Sequence, residues 1–367
     1  MAKLTRIGVG GFKSIKNLQP LDLRPTNILI GSNGAGKSNL ISFLNLLRAI
    51  ANGTLQEFVG RAGGAETLLY YGSKETPAMW AALDFTGKTG DGSYFFGLAP
   101  TATDTLVFTQ EQAIYARTRG SDRQPKLLGS GHKESLLMAD DNQFLEIWEL
   151  LAGVHIFHFH DTSQTAHIRK HGYVEDNRCL RDDAGNLAAF LHGLKQRKPP
   201  YYRRIVEAIR QVAPFFDDFV LAPKVETDQR SILLNWKDRH SEHLFGPHQL
   251  SDGTLRAMAL VTLLLQPEDE LPALVVLDEP EIGMHPYAID VLASLIRGAS
   301  AHRSLIVATQ SVSLLNYFEP EDIVVVSRSN GQSDFQRQNS QSLAAWLKEY
   351  SIGDLWEKNL IGGTPSR

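Results

Sequence analysis

Gly31-Ser32-Asn33-Gly34-Ala35-Gly36-Lys37-Ser38 is the stretch on which the fold turns. Before it stands Asn27-Ile28-Leu29-Ile30, a short apolar strand signal, and after it Asn39 to Ile50 reads as a helix closed near Gly53. A G-x-x-x-x-G-K-S loop between a strand and a helix has the context a phosphate loop requires, which a chance glycine-rich turn lacks. Gly34 and Gly36 let backbone N–H groups turn toward a polyphosphate with no Cβ in the way. The positive end of the following helix faces the same phosphates. Lys37 reaches the β- and γ-phosphates, and the Ser38 hydroxyl holds Mg²⁺.

Working outward, Leu274-Val275-Val276-Leu277 is a continuous apolar run, as expected of a parallel strand buried on both faces. It ends in Asp278-Glu279-Pro280-Glu281. Asp278 is placed to orient Mg²⁺ and its water shell, and Glu279 to take a proton from the water attacking the γ-phosphate. A pair of plain surface carboxylates is the competing reading, and a phosphate loop upstream weighs against it. Ser304 to Ala308 and Ile323 to Val326 read as neighbouring strands. Pro286 opens a helix over Tyr287 to Arg297, with Gly298 as its stop. Alternating strands and helices give an α/β sheet. Lys37 and Asp278 are about 240 positions apart, more than one ordinary domain separates such elements, so a large segment is inserted between two halves of one nucleotide domain.

Composition sets the surroundings. Hydrophobic residues make up 43% and charged ones 21% of 367, which suits a globular core and excludes a disordered chain. Thirty-seven Lys and Arg against 41 Asp and Glu give a net charge of −4, so any nucleic-acid contact needs a local patch. The single cysteine, Cys179, excludes an intrachain disulfide and a thiolate zinc cluster and suits a reducing compartment. The N-terminus has no apolar signal segment and no run approaches a membrane span, so a cytoplasmic protein with no membrane partner is expected.

A third element sorts the possibilities. Gln249-Leu250-Ser251-Asp252-Gly253-Thr254-Leu255-Arg256 precedes a strongly apolar helix, Ala257 to Gln266, stopped by Pro267. Ser251 caps that helix and Gly253 leaves its N–H groups open; taken alone, this is a plain helix cap. The order of phosphate loop, distant L-S-x-G helix and strand ending D-E-P-E closely resembles ABC-type ATPase heads. Within these the chain is similar to the RecF/SMC/overcoming-lysogenization-defect group, in the bacterial branch labelled AAA-family type 21. The opening Ile7 to Ile15, with Phe12-Lys13-Ser14, is similar to that group's first strand and F-[KR]-S turn. Asp278 to Pro286, His158-Phe159-His160-Asp161-Thr162-Ser163, Thr309-Gln310-Ser311 and Leu355 to Asn359 match further motifs, spread over most of the chain.

The resemblance implies more than spacing supplies. In such heads two subunits sandwich two ATP molecules, so an ATP-dependent homodimer is expected, with ATP and Mg²⁺ as cofactors. Asn33, Gly34, Ala35, Gly36, Lys37, Ser38 and Asn39 then hold phosphate and metal in cis, and Ser251 and Gly253 meet the γ-phosphate in trans. Glu279 is the expected catalytic base, Asp278 and Ser38 the metal-side residues, Gln310 the switch residue, and Lys13 and Ser14 border the nucleotide. Many relatives carry His where Gln310 stands, and glutamine cannot relay a proton. Gln112, Gln143, Gln164 and His160 all remain open as the residue of the so-called Q-loop. The implied domain plan is an N-terminal half-head with phosphate loop and antiparallel β lobe over 1–130, a compact, mainly helical insertion over 131–240, and a C-terminal half-head over 241–367.

Between the phosphate loop and that insertion, Ala81 to Arg117 reads as short strands with a turn at Thr86 to Gly92 that extend the first lobe as antiparallel sheet. Glu134 to Leu151 reads as one helix, and Leu187 to Val212 as two, broken by Pro199-Pro200. No heptad run is sustained, so long coiled-coil arms are not expected. Between His167 and Arg210 stand ten basic residues (Arg169, Lys170, Arg178, Arg181, Lys195, Arg197, Lys198, Arg203, Arg204, Arg210) against five acids, with Tyr201 and Tyr202 among them. A solvated charged face and a DNA- or partner-binding patch are the two readings. His155, His158, His160, His167 and His171 also cluster, but strand alternation would separate them, which favours positioning roles over zinc. Three functions stay open: an ATP-hydrolysing switch in DNA repair or anti-phage defence with a separately encoded nuclease or other effector, the ATP-driving subunit of a membrane transporter, and a nucleotide-dependent scaffold with little turnover.

Overall fold

The apolar runs read as buried strands line up in one sheet. The computed structural model describes residues 2–87, 90–116, 125–138, 144–226 and 229–363. In chain order β1 (Lys3–Phe12) and β2 (Ile15–Asp22) form a hairpin, and β3 (Thr26–Ile30) leads through the glycine loop into α1 (Lys37–Ala51) and α2 (Leu55–Arg61). Then come β4 (Met79–Thr86), β5 (Asp91–Pro100), β6 (Leu106–Ala116), β7 (Lys126–Gly129), α3 (Leu145–Ala152) and β8 (Val154–Phe157). The middle holds β9 (Gly172–Tyr173), α4 (Leu187–Arg197), α5 (Pro199–Val212), β10 (Phe216–Val220), β11 (Lys224–Glu226), β12 (Gln229–Ile232), β13 (Asn235–Asp238), β14 (Leu244–Phe245) and α6 (Asp252–Leu265). The remainder is β15 (Leu274–Asp278), α7 (Pro286–Ser300), β16 (Ser304–Thr309), α8 (Val312–Leu315), β17 (Ile323–Ser329), β18 (Gln332–Arg337), α9 (Ser340–Leu343) and α10 (Ile352–Glu357).

Two units result: Met1–His155 with Pro272–Val276 and Arg303–Arg367, and Ile156–Leu271 with Leu277–His302. In the first, a sheet of order β18-β17-β3-β16-β15-β8 carries the phosphate loop. Its centre is parallel: Thr309 of β16 and Val325 of β17 both lie opposite Ile30 of β3. Every residue of β3 and β16 is buried, the signature of a parallel strand covered on both faces. Helix α1 buries Leu40, Phe43, Leu44 and Leu47, each such side chain contributing about 1.5–3 kcal/mol. Trp148 on α3 donates its Nε1 to the Ala51 carbonyl at 2.8 Å and fixes the end of α1. A second, antiparallel sheet of order β2-β1-β4-β5-β6-β7 forms the β lobe.

The second unit is built around α6, whose run from Ala257 to Leu264 is buried on all sides, with α5 and α7 packed against it. Helix α5 is amphipathic: Ile205, Val206 and Ile209 face inward, while Arg203, Arg204 and Glu207 face out. Two three-stranded sheets, β10-β13-β14 and β11-β12-β9, complete it.

Several local expectations change. The strands in this stretch, β4, β5 and β6, are 8 to 11 residues long rather than short and pair along their length; Lys88, Thr89 and Arg117 lie outside the described residues. Among the described residues, which leave out 139–143, the helix read over Glu134 to Leu151 is present as α3 and not over 134–138. Side chains explain why its first part is not helical. The Glu134 carboxylate accepts from the N–H groups of Leu55 (2.8 Å) and Gln56 (3.0 Å), capping α2. Ser135 and the Leu136 N–H are bonded to Glu111, which is fully buried and also accepts from Tyr94 and pairs with His132. Helix α7 runs through Gly298 to Ser300, because Ile296 and Ala299 are buried on its inner face. No helix among the described residues is long and apolar enough to cross a membrane, and none exceeds the 15 residues of α1 and α7, so no long coiled coil is present there.

Candidate nucleotide site

In the first unit the loop after β3 has the features a polyphosphate needs. Helix α1 begins at Lys37 with no side-chain cap and no acid in its first turn, so its positive end is unopposed. Asn33, Gly34 and Ser38 are exposed, and the space beside Gly34 is open. Lys37 is buried, its Nζ donating to the carbonyls of Gly31 (2.5 Å) and Ser32 (3.3 Å). Gly36 has φ +121°, and a Cβ there would collide with Ser333. These residues fit a triphosphate. Gln310 follows Thr309 on β16, level with the point where Gly31 leaves β3.

Lys13 and Ser14 sit beneath this loop. Ser14 Oγ accepts from Asn39 Nδ2 (2.6 Å) and shares a hydrogen bond with Ser333 Oγ (2.6 Å), which in turn donates to the Ala35 carbonyl (2.6 Å). Both serines are buried. Lys13 Nζ donates to Ser42 on α1 (2.8 Å), and burial pushes its pKa below the ordinary lysine value. Ser333, on the β17–β18 hairpin, is a supporting residue that no motif reading singles out.

Asp278 and Glu279 lie in the second unit, at the end of β15. Glu279 has φ +43°, a left-handed conformation that costs a non-glycine residue about 1–2 kcal/mol and that clusters at functional positions. His160 Nε2 stands 2.7 Å from the Asp278 carbonyl, and His158 Nδ1 3.7 Å from its carboxylate. Strand β8 stops at Phe157, so both histidines project from the loop beyond it, their ring centroids 6.1 Å apart. Burial pushes His158 below the usual histidine pKa, which keeps a neutral imidazole beside Asp278 at neutral pH. Among the described residues no group of three or more His, Cys, Asp or Glu is arranged to hold a metal. Asp278 and the Ser38 hydroxyl are hard oxygen donors of the kind magnesium takes alongside phosphates and water. Of the Q-loop candidates, Gln112 lies on β6 opposite Phe95, Gln164 is bonded to His248 (3.1 Å), and Gln143 lies outside the described residues.

Ser251 caps α6, its Oγ accepting from the Thr254 N–H at 3.2 Å, and it faces solvent. Gly253 serves a close approach: a Cβ would strike the Gly283 carbonyl, in the loop after Glu279. The ten basic residues are mostly engaged within their own unit. Arg181 pairs with Asp176, Lys195 with Asp218, Lys198 with Asp269 and Glu270, Arg210 with Asp217, Arg197 bonds Asn177, and Arg169 is buried. Arg203 and Arg204 stay on the outer face of α5, Arg204 over the Tyr201 ring at 5.8 Å.

A family model described as "AAA domain, putative AbiEii toxin, Type IV TA system" matches residues 26–316. No curated protein matches the chain. Among solved structures, an SMC head bound to the C-winged helix domain of ScpA superposes with a TM-score of 0.62 at 16% identity, over 93% of this chain and 99% of that one. The Smc head with an extended coiled coil bound to the C-terminal domain of ScpA from Pyrococcus furiosus gives 0.60 at 13% identity, over 95% and 99%. The Smc head with a coiled coil and joint from Pyrococcus yayanosii gives 0.55 at 11%, over 95% and 99%. At such identities the likeness is one of fold.

Proposed function

The chain belongs to this AAA-domain family and has the fold of an ABC-type, SMC-like ATPase head, and on that premise we propose that it is a magnesium-dependent, ATP-hydrolysing switch whose dimer closes on two nucleotides. In this proposal it acts in the cytoplasm and gates a DNA-related process, in repair or in defence against phage, through a separately encoded effector. The supporting observation is the phosphate loop: an uncapped α1, an open Gly34 and a buried Lys37 on a parallel sheet.

Bound Mg–ATP supplies the charge to be gripped and the phosphoanhydride bond to be cut. Lys37 and the N–H groups from Gly34 to Ser38 bind that charge, with Asn33 and Asn39 at the rim and Ser14 and Lys13 holding the loop from below. Ser38 and Asp278 are the metal-side donors. Glu279 orients the attacking water and takes its proton, while Gln310 contributes hydrogen bonds alone. Ser251 and Gly253 of a second copy complete the site at the γ-phosphate. Because both surfaces bind the same anion, nucleotide favours the closed pair and hydrolysis releases it. Any sensed ligand must therefore bind the open and closed forms unequally. The SMC heads that share this fold are bound to ScpA domains, which supports a non-covalent effector here. A DNA contact through the insertion would use the exposed Lys170, Arg178, Arg203 and Arg204, with Tyr201 beside the last two.

Substituting Glu279→Gln keeps ATP binding, cuts turnover by about 10²–10⁴-fold as for loss of a general base, and accumulates ATP-bound dimer; Lys37→Ala abolishes nucleotide binding. Turnover in Glu279→Gln equal to the parent removes Glu279 from the catalytic role. Co-purification of Glu279→Gln in ATP separates the readings: DNA or a nuclease for the switch, a membrane protein for a transporter subunit, an ATP-independent assembly for a scaffold.

A further inference from the structure

We infer that Arg169 is the positioning residue that holds the Leu250-Ser251-Asp252-Gly253 loop in its phosphate-binding shape and, through residues 158–163, ties that loop to the strand end bearing Asp278 and Glu279. The inference rests on the proposal that Ser251 and Gly253 meet the γ-phosphate in trans.

Arg169 is 3% exposed. Its Nε donates to the Thr162 carbonyl (2.7 Å), Nη1 to the carbonyls of Pro247 and Leu250 (3.2 Å to the latter), and Nη2 to Leu250 O (3.3 Å) and Asp252 Oδ1 (2.7 Å). A buried guanidinium is costly unless its donors are used, and here the acceptors lie on both sides of Ser251. No sheet ladder fixes this stretch: it is a single turn of 3-10 helix over Pro247–Gln249, then an extended Leu250 before α6 begins. The planar fork of Arg169 supplies the missing framework, and lysine, with one point-like head, cannot span the same acceptors.

The fifth contact gives the arrangement its reach. Thr162 belongs to the segment whose His160 touches the Asp278 carbonyl. A second arginine, Arg256 on α6, binds the same segment from its other side, donating to Phe159 O (2.9 Å) and His160 O (2.7 Å), and also to Ile282 O (2.9 Å) beyond Glu279. Residues 158–163 are thus bonded to the signature loop, to α6 and to the end of β15. A displacement of Ser251 is passed on to the Glu279 turn rather than absorbed by a slack loop.

The test uses the full chain in the Glu279→Gln background. Arg169→Lys is expected to bind a fluorescent ATP analogue within about twofold of the parent, because the phosphate loop lies in the other unit, while ATP-driven dimerisation weakens about tenfold or more, the scale of one charge-assisted hydrogen bond. Amide exchange over 247–254 should quicken in the same variant without nucleotide, which a purely catalytic defect would not produce. Ser251→Arg is the control. If it dimerises like the parent, the in-trans proposal fails; if it fails to dimerise while Arg169→Lys dimerises normally, the role of Arg169 alone is overturned. Should Arg169→Lys not fold, Asp252→Asn decides, since that side chain is 63% exposed: about threefold weaker dimerisation is expected for turning one charge-assisted contact into a neutral one, and parental dimerisation overturns the inference.

Discussion

Glu279 carries both the proposed chemistry and a backbone cost. At φ +43° it occupies a region open to glycine but not to a Cβ-bearing residue without penalty. Two substitutions that both delete the carboxylate should therefore differ in stability. Nucleotide-free Glu279→Gly should melt about 1 °C or more above Glu279→Ala, the shift expected from recovering about 1 kcal/mol in a chain of this size. Identical melting temperatures in differential scanning calorimetry would mean the turn is not strained. The residues to which this chemistry is proposed stand out in the sequence because each sits in a short run of fixed spacing: Lys37 and Ser38 in the glycine loop, Asp278 and Glu279 at a strand end, Ser251 ahead of an apolar helix. Their supports were not legible. Ser333 acts on Ser14 across 319 positions, and Arg169 on Asp252 across 83, so no local pattern contains either pair.

Among the elements, the helices whose ends are written in their own residues were read closely. Pro199 and Pro200 open α5 and Ser251 caps α6, both by local chemistry. The stretch from Glu134 fails as a helix because its polar side chains serve other elements, one at the N-terminus of α2 and another at Glu111. Tertiary bonds overrode a local period. Glu111 thus anchors the segment 132–136 to β6, its two oxygens taking Tyr94 (2.6 Å), His132 (2.8 Å), Ser135 (2.5 Å) and the Leu136 N–H (2.9 Å). Glu111→Ala strands four partners at once, the buried Tyr94 among them, and is expected to destabilise the protein by about 3 kcal/mol, with ATP affinity unchanged because neither Glu111 nor its partners bond the phosphate loop or Ser14. Denaturant melts and a nucleotide titration on one preparation check both halves. A weakened ATP affinity at full stability would instead give Glu111 a place in nucleotide binding.

At the scale of the whole molecule, the order of phosphate loop, distant signature helix and acidic strand end made the ATPase head legible, whereas a count of basic residues in the insertion does not say which are already paired, since charge tallies ignore partners. Five of those ten cations pair with acids inside their own unit. Two inactive variants decide whether the proposed site belongs to one copy or two. Take Lys37→Ala and Ser251→Arg, each inactive alone under either arrangement. In a two-fold dimer built from one of each, an in-trans design puts both lesions in the same composite site and leaves the other composite site whole. An in-cis design leaves no whole site anywhere. Mixing equal amounts should therefore restore turnover to between about a quarter and about half of the parental rate if sites work independently, each mixed dimer having one sound site of two and the higher figure applying when only mixed dimers form. Activity should rise with the product of the two concentrations and vanish when either variant is omitted. A mixture as inactive as its components, with mixed dimers demonstrated by differential tagging and a parental mixture fully active, would confine the site to one chain and remove the dimer from the mechanism.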